Sequence, residues 1–410
     1  MIDKLIKYSP YIYLFLATMI LPLANIDIRY VHYVFLILIT ILLLPYFKNS
    51  STKKKNLNVL IFIFFTLFIS LITPLISSIK VTAIVEATLV YILPALFWVL
   101  FFTKYRTFDF RGFLIFSVYI ALFISLLGFI QFFFSRTIFG FIPEISYFSI
   151  DFTEDFLVSS GSIFRVRSIL PSPQIFGLYT SLSFCLSTFL FKEKKINYLI
   201  ISTPILLASL LSGQRIVILV YLVYFTVKAL SKNKNILLSL FQISFFVIII
   251  LFALNVVNDI LIKSGMASTR LLDVFTDFSS VIDYEQNSRW TRWAELIKNT
   301  NPLLGNGIGY TFPSEDGSRI VTTESYLVQL YFEGGLLLLA SFIGLFYNSF
   351  KSSRMYNQFS WPILASLFVS LIVVHSFTNP IFFIYWGVLI YPLLNNKILL
   401  VQNEKAIANK

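Results

Sequence analysis

Residues 57–103 have the sequence LNVLIFIFFTLFISLITPLISSIKVTAIVEATLVYILPALFWVLFFT, in which only Lys80 and Glu86 are charged. A helix needs about 20 apolar residues to cross the hydrocarbon core of a bilayer. The segment contains two such lengths, 57–78 and 82–103, separated by a short stretch around Lys80. It therefore predicts two transmembrane helices joined by a tight turn, and a membrane protein of the all-α class.

The same pattern recurs along the whole chain. Hydrophobic residues make up 57% of the 410 residues and charged residues only 13%, whereas about 25% of the residues in soluble domains are charged. We identify about twelve apolar runs that approach or reach the length of a span. They lie at 9–24, 30–47, 57–78, 82–103, 112–134, 169–191, 196–213, 215–230, 236–257, 324–350, 359–378 and 380–396. The sequence predicts an all-α polytopic membrane protein with about twelve transmembrane helices, forming a single transmembrane domain over residues 1–410.

The distribution of charge predicts the orientation in the membrane. With a cytoplasmic amino terminus, 20 of the 32 basic residues but only 4 of the 20 acidic residues fall on the inner side, which gives +16 inside and −4 outside. This asymmetry follows the positive-inside rule, so we expect both termini in the cytoplasm. The net charge of +12 then reflects topology and contact with anionic membrane lipid. No nucleic-acid partner is needed to explain it.

Two long polar segments are predicted on the outer side. One is an outer loop at 135–168, and the other is a large outer loop at 258–323, between the ninth and tenth helices. Within the second loop, residues 287–300 have the periodicity of an amphipathic helix, which we expect to lie on the membrane surface. Its apolar positions are Trp290, Trp293, Ala294 and Ile297. Asn301-Pro302 would end this helix, and a flexible connector is expected to follow, with Gly305, Gly307 and Gly309.

Arginines near the outer helix ends are candidates for binding phosphate, because the planar guanidinium can donate two parallel hydrogen bonds to one phosphate group. Arg215 follows a tight turn and begins the eighth helix. Arg289 begins the amphipathic helix, and Arg292 lies one turn further on the same face. The alternatives are an arginine that extends to the membrane interface and ordinary surface charge.

A second group of arginines precedes the sixth helix. Arg165 and Arg167 come shortly before Pro171 and Pro173. These prolines are expected to break the first turns of the helix. The backbone groups left without helical hydrogen bonds would then need hydrogen-bond partners from protein or water. The combination predicts a water-filled cavity in which both arginines contact a substrate.

The tenth helix begins with candidate acidic groups. Thr323 is a plausible N-cap, and Glu324 is favourable at a helix N-terminus through the helix dipole alone. Alternatively, Glu324 is a general base that deprotonates a sugar hydroxyl. Tyr326 and Glu333 continue along the same helix as candidate substrate-binding residues, since an intramembrane carboxylate is costly unless it is paired or faces water.

The cytoplasmic loops are short and rich in lysine, and they contain neither a P-loop nor a dinucleotide-binding fingerprint. They have too few acidic residues for a metal-dependent nucleotide-sugar site. We therefore expect no cofactor and no metal, and we expect any chemistry to take place on the outer side.

Several motifs in this order resemble the superfamily of O-antigen ligases and Wzy-type polymerases. The resemblance covers about 160–345, and its motifs are Arg167 with Pro173 and Gly177, Leu211–Arg215, Ser288-Arg289, Trp293, Asn301–Gly309, Glu324–Leu327 and Glu333–Leu336. It implies a bacterial inner-membrane enzyme that acts at the outer face on glycans linked to undecaprenyl pyrophosphate. By the same resemblance, Arg215 and Arg289 would hold the donor pyrophosphate, without metal or nucleotide, and a chain-length regulator would be a further partner.

One departure from the family pattern favours a polymerase. O-antigen ligases carry a histidine at the head of the helix that follows the large loop, where this chain has Thr323-Glu324. The two histidines of the chain, His32 and His375, lie elsewhere. We therefore expect a repeat-unit polymerase with Glu324 as the base. The alternatives are ligase-type transfer to another acceptor and a non-enzymatic flippase or transporter, although a flippase should concentrate its charges along the spans rather than in outer loops.

Overall fold

The structure of the 410-residue chain is a computed structural model. It describes residues 2–20, 28–49, 57–134, 168–170, 172–191, 195–212, 214–232, 289–311, 325–356, 361–374 and 377–394. All regular secondary structure among these residues is helical, which confirms the predicted all-α class.

Twelve α-helices lie in the described ranges. In chain order they are α1 (Ile2–Phe15), α2 (Ile28–Leu43), α3 (Leu57–Ile76), α4 (Val81–Lys104), α5 (Phe110–Phe134), α6 (Pro173–Leu190), α7 (Lys195–Leu211), α8 (Arg215–Lys232), α9 (Arg289–Asn299), α10 (Tyr326–Tyr356), α11 (Trp361–Val373) and α12 (Phe383–Leu394). Short π- or 3₁₀-helical segments adjoin α1, α2 and α12 at Leu16–Ile20, Leu44–Asn49 and Pro380–Phe382.

Four of the described helices are long and apolar enough to cross a membrane: α3, α4, most of α5 and most of α10. Five others are apolar but shorter. Eleven of the predicted apolar runs coincide with helices, and the remaining run, 236–257, lies outside the described residues. The chain is thus a helical protein with several membrane-spanning candidates, and the full set of about twelve spans stays a prediction.

The chain forms two compact units. The first comprises Met1–Ala17, Asp27–Phe113 and Asn299–Lys410, and the second comprises Thr18–Ile26 and Leu114–Lys298. The predicted single domain over residues 1–410 depends on how these units join, and it stays a prediction.

An aromatic core holds the first unit together. Trp98 on α4 is fully buried, and its indole Nε1 donates a hydrogen bond of 2.9 Å to the Phe383 carbonyl at the start of α12. Gly387, one turn further along α12, lies so close to the Trp98 ring that an added Cβ would be 2.8 Å from it. The absence of a side chain at Gly387 lets α4 and α12 approach closely, which is the usual basis of helix packing in membranes.

An ion pair joins the beginning of α1 to the end of α4 in the first unit. Lys104 Nζ lies 2.7 Å from Asp3 Oδ1, and the hydroxyl of Tyr105 donates to the same carboxylate at 2.9 Å. The Lys104 ammonium holds the pKa of the Asp3 carboxyl below its usual value. Since α4 is 24 residues long, or about 36 Å, this contact lies far from the α3–α4 turn at its other end.

Helix α6 forms the centre of the second unit, where it packs against α7 and α8 and is buried along almost its whole length. Several of its hydroxyl groups bond to backbone carbonyls of their own helix, as Thr180 and Ser181 do. Ser187 also reaches across to Ser202 of α7, with 2.7 Å between the hydroxyl oxygens. Small side chains of this kind allow close helix–helix contact.

The start of α6 differs from the prediction. The helix begins at Pro173, and the Ser172 hydroxyl accepts a hydrogen bond from the Ile175 amide, which makes Ser172 the N-cap. Proline is well suited to the first helical position, where an N–H would have no partner within the helix. Pro173 therefore starts the helix and does not break it, so the argument for a cavity at broken first turns is wrong.

The predicted outer loops are described only in part. Of the loop at 135–168, only Ser168 is described, and of the large loop at 258–323, only 289–311 is described. The helix predicted at 287–300 is present as α9. Its Trp293 is only 9% exposed, so this ring packs against other parts of the protein.

Candidate functional site

The predicted site residues fall into three groups. Arg165, Arg167 and Glu324 lie outside the described residues. For Arg215, Arg289 and Arg292 the structure describes the helical backbone but not the side chains. Tyr326 and Glu333 are described completely, and both are fully buried.

Arg215 is the first residue of α8, as predicted. The turn that precedes it is held by Ser212, whose amide and hydroxyl both donate to the Ser209 carbonyl and whose hydroxyl accepts from the Gln214 amide at 3.4 Å. A Cβ on Gly177 of α6 would clash with the Ser212 side chain. Two sequence motifs, Gly177 and the Leu211–Arg215 turn, are therefore direct neighbours in the second unit.

The chain that follows Arg167 is also anchored in the second unit. Ser168 is buried, and its φ of 56° is unusual for a residue other than glycine. Its amide donates to the side chain of Gln131 at 2.8 Å, and its hydroxyl donates to the Ile124 carbonyl at 2.8 Å. These bonds stabilise the unusual backbone conformation. They also hold the segment that leads into α6 against α5.

The segment after α9 is an inserted loop, residues 301–311, and not the flexible connector that was predicted. Its three glycines, Gly305, Gly307 and Gly309, are buried and all have positive φ angles, between 69° and 103°. Asn301 organises the first turn, since its side-chain oxygen accepts from the amides of Leu303 and Leu304 at 3.0 and 3.1 Å. The loop is a fixed part of the first unit.

Helix α10 is broken where the inserted loop meets it. Gly335 has φ 58° and ψ −155°, which interrupts the helix and which only glycine adopts readily. In a continuous helix of 16 residues, Tyr326 and Phe342 would be about 24 Å apart, but their ring centroids are 5.2 Å apart. Residues 326–334, here α10a, therefore fold back against residues 336–356, here α10b.

The inserted loop supplies the hydrogen bonds that the break removes. The amides of Asn306 and Gly307 donate to the carbonyls of Phe332 and Glu333, at 2.7 and 3.1 Å. The amides of Leu336 and Leu337 donate in turn to carbonyls of the loop, those of Pro302 and Leu303, at 2.8 and 3.3 Å. Backbone at membrane depth is stable only when such groups are satisfied, so the loop and the break in α10 depend on each other.

The loop also contacts the turn between α3 and α4. The Ile308 amide donates to the Thr73 hydroxyl at 2.9 Å, and a Cβ on Gly309 would lie 2.9 Å from the backbone of Ala83. The inserted loop, the bend at Gly335 and the α3–α4 turn thus lie at one end of the first unit.

A buried polar cluster surrounds Glu333 at this end. Glu333 Oε1 accepts from the amide of Thr311 at 3.3 Å, from its hydroxyl, and from Gln329 Nε2 at 3.5 Å. The Gly309 amide and the Tyr91 hydroxyl lie near this carboxyl group. We name Glu333, Thr311, Gln329 and Tyr91 the Glu333 cluster.

Tyr326 is as fully buried as Glu333, but its neighbours are aromatic. Its ring packs against those of Tyr91, Phe342 and Phe377. The preceding residue, Ser325, is fully buried and caps α10a, because its hydroxyl accepts from the Val328 amide at 3.3 Å. Ser325 therefore takes the capping role that was predicted for Thr323.

Tyr326 and Glu333 both lie on α10a in the first unit. Arg215, Arg289 and Arg292 belong to the second unit, so their meeting with Glu324 stays a prediction. Within the described ranges, no group of three or more His, Cys, Asp or Glu side chains could hold a metal ion.

The sequence did not identify Thr311, Tyr91 or Thr73 as part of this region. Each is a single hydroxyl residue whose partner lies far away in the sequence, such as Thr73 and Ile308, which are 235 residues apart. One signal was available: Thr66, Ser70 and Thr73 place hydroxyls on one face of an otherwise apolar helix.

The chain matches no known protein-family model and no curated protein.

Proposed function

We propose that this protein is a polymerase that joins oligosaccharide repeat units linked to undecaprenyl pyrophosphate at the outer face of a bacterial cytoplasmic membrane. The observation that carries the proposal is that Arg215 begins α8, while Arg289 is the first described residue of α9. A helix N-terminus presents free amides and a positive dipole end, which favour a phosphate group. Arginine at that position adds a planar, charged donor pair.

In the proposed reaction, a hydroxyl group of the acceptor glycan attacks the anomeric carbon of the donor glycan. The new glycosidic bond forms as the bond between that carbon and the pyrophosphate oxygen breaks. Glu324 takes the proton of the hydroxyl group, and Arg215 and Arg289 stabilise the negative charge of the departing lipid pyrophosphate. Arg165, Arg167 and Arg292 contribute further contacts to the substrate phosphates. The reaction requires neither nucleotide nor metal.

The surroundings of α10a support a base at residue 324. Ser325 is fully buried, and its hydroxyl donates to the Leu371 carbonyl of α11 at 3.3 Å. Glu324 directly precedes this buried residue in the sequence, and the proposed reaction takes place in a partly dehydrated site. Electrostatic interactions are stronger in such a place than at an exposed surface.

The proposed topology has twelve spans with both termini in the cytoplasm. In the first unit, the Asp3–Lys104 contact and the inserted loop lie near opposite ends of α4. If Asp3 is cytoplasmic, the inserted loop, the bend at Gly335 and the α3–α4 turn are on the outer side. This arrangement agrees with the excess of basic residues predicted inside.

The arginine assignment can be tested in cells that depend on this protein for a surface polysaccharide. The double variant Arg215→Ala/Arg289→Ala should lose long polymer while single repeat units remain, as measured by gel electrophoresis of the extracted glycan. Lys298→Ala is the matched control, because it removes an exposed positive charge from the same helix as Arg289. A full-length ladder from a double variant present at normal abundance would refute the pyrophosphate assignment.

One observation favours a second function, a non-enzymatic flippase or transporter for the lipid-linked oligosaccharide. Broken helices with a buried polar group are typical of transporters, and α10 is broken next to the buried Glu333. The two functions differ in their product, because a flippase moves a repeat unit across the bilayer and leaves its length unchanged.

A further inference from the structure

Glu333 is a carboxylate in the interior of a membrane-embedded helical unit, and no positive side chain neutralises it in the part of the chain that the structure describes. Its described contacts are the neutral groups of Thr311, Gln329, Tyr91 and Gly309. The residue is 0% exposed. An ionised carboxylate in such a place is strongly unfavourable without a positive partner.

The same face of α10a carries oxygens that no donor satisfies. Among the described residues, Glu333 Oε2, Gln329 Oε1 and the Tyr326 hydroxyl have no hydrogen-bond partner. Positions 326, 329 and 333 recur on one side of a helix, and the Tyr91 hydroxyl on α4 acts on both Glu333 and Gln329. Carboxylate, amide and hydroxyl oxygens together form the type of ligand set that hard cations prefer.

The break in α10 adds to the negative potential at this point. Because α10a ends at Gly335, the C-terminal end of its helix dipole lies beside Glu333. That end carries a partial negative charge, which opposes an isolated carboxylate and favours a cation. Broken helices in membrane proteins bind sodium ions at such C-terminal ends.

We propose that the Glu333 cluster binds one alkali-metal cation, with Glu333 Oε2, Gln329 Oε1 and the Tyr91 hydroxyl as its protein ligands. A proton on Glu333 would also neutralise the carboxylate, but the resulting O–H group could donate a hydrogen bond to only one of the neighbouring unpaired oxygens. A cation interacts with several oxygens at once, and it would stabilise α10a against both α4 and the inserted loop. This proposal is independent of the polymerase function, since it rests only on the first unit.

The test is a thermal-unfolding titration of the full-length protein, purified in detergent without alkali cations. Sodium chloride replaces choline chloride at constant ionic strength and pH, and unfolding is followed by tryptophan fluorescence. A ligand that binds only the folded state raises the melting temperature. We expect a saturable rise of about 2–4 °C with sodium, and a different rise with lithium and potassium because the ions differ in size.

Two variants test whether the rise in melting temperature with sodium depends on Glu333. Glu333→Gln is nearly isosteric and neutral, so it should abolish the response to sodium. Glu295→Gln removes an exposed carboxylate on α9 and should keep the response. If Glu333→Gln does not fold, the wild-type titration still decides the question.

Three results would overturn the proposal. A melting temperature that is the same in sodium and in choline would exclude the cation. Equal shifts with lithium, sodium and potassium would show no dependence on ion size and would indicate a nonspecific cation effect in place of a site. A shift that depends on pH but not on sodium would assign the neutralising charge to a proton.

Discussion

Glu333 is the residue on which the inserted loop and the broken helix converge. Its side chain accepts hydrogen bonds from Thr311, and its main-chain carbonyl accepts one from Gly307. A buried carboxylate that loses a donor is left with an uncompensated desolvation cost. The Thr311 hydroxyl should therefore contribute to stability as well as to the position of the loop.

Replacing Thr311 with valine tests this contribution, because valine has nearly the same shape but no hydroxyl. We expect Thr311→Val to destabilise the protein by about 1–3 kcal/mol, as measured by denaturant or thermal unfolding in detergent. Thr311→Ser keeps the hydroxyl and is the control, which should retain most of the stability. Equal losses for both variants would mean that the methyl group matters more than the hydrogen bond.

The arginines show what the sequence reveals at the scale of single residues. Arg215 was predicted to begin a helix, and it does so. Arg289 is the first residue of α9 that the structure describes, so its place at the helix start stays a prediction. The caps were harder to place: the N-cap of α10a is Ser325 and not Thr323. The hydroxyl groups of serine and threonine can both cap a helix, so the sequence alone does not decide between residues 323 and 325. In the structure the Ser325 hydroxyl also donates to the Leu371 carbonyl, a contact that depends on how α10a packs against α11.

At the scale of elements, glycine makes the contact between the inserted loop and α10 possible. A Cβ on Gly305 would lie 2.6 Å from the main chain of Glu333, and one on Gly335 would overlap the main chain of Leu303. Both residues also have positive φ angles. The two backbones therefore touch directly, at positions where any side chain would separate them.

Alanine substitutions test this contact. Gly305→Ala and Gly335→Ala should each cost more than the roughly 1–2 kcal/mol of an unfavourable positive φ angle, because they add a steric clash. Gly344→Ala is the control in α10b, where a Cβ would meet no atom within 4 Å. It should leave stability unchanged or raise it by up to about 1 kcal/mol. The variants can be compared by their melting temperatures in detergent, and similar values for all three would contradict the inserted-loop packing.

The sequence predicts helices well because an apolar run of membrane length has few alternatives. It does not predict how α10 bends. The pair Gly334-Gly335 lies within an apolar run that was assigned to one continuous helix, and its partner, Gly305, is about thirty residues away in a segment that resembles a flexible connector. The backbone bonds between them involve no side chain, so residue types alone do not reveal them.

At the scale of the whole molecule, the account requires that the α3–α4 turn faces outward and the α4–α5 turn faces the cytoplasm. Cysteine labelling can test this orientation. Cys185, the single native cysteine, would first be replaced by serine. Ser78→Cys and Thr107→Cys would then be introduced singly, since both positions are exposed.

In spheroplasts, a membrane-impermeant maleimide should label Ser78→Cys directly. It should label Thr107→Cys only after the membrane is permeabilised, because α4 separates the two positions by its full length. Permeabilised cells provide the control for thiol reactivity. The reverse pattern would invert the molecule and place the inserted loop in the cytoplasm.

The proposed reaction uses arginines from the second unit together with Glu324, which precedes α10a in the sequence. The sequence places these residues at helix ends, and the structure describes helix starts at Arg215 and Tyr326. The proposed meeting of Arg215, Arg289 and Glu324 around one substrate is a matter of long-range packing, which a local pattern does not encode. This is the part of the proposal that needs a functional measurement.

The most direct measurement uses the purified protein in liposomes with a lipid-linked repeat unit as the only substrate, without ATP or metal. The account predicts a ladder of longer lipid-linked glycans, which disappears in Arg215→Ala/Arg289→Ala and persists in Lys298→Ala. Glu324→Gln should reduce the elongation rate strongly. Repeat units that cross the bilayer but never lengthen would contradict the polymerase assignment and support a flippase.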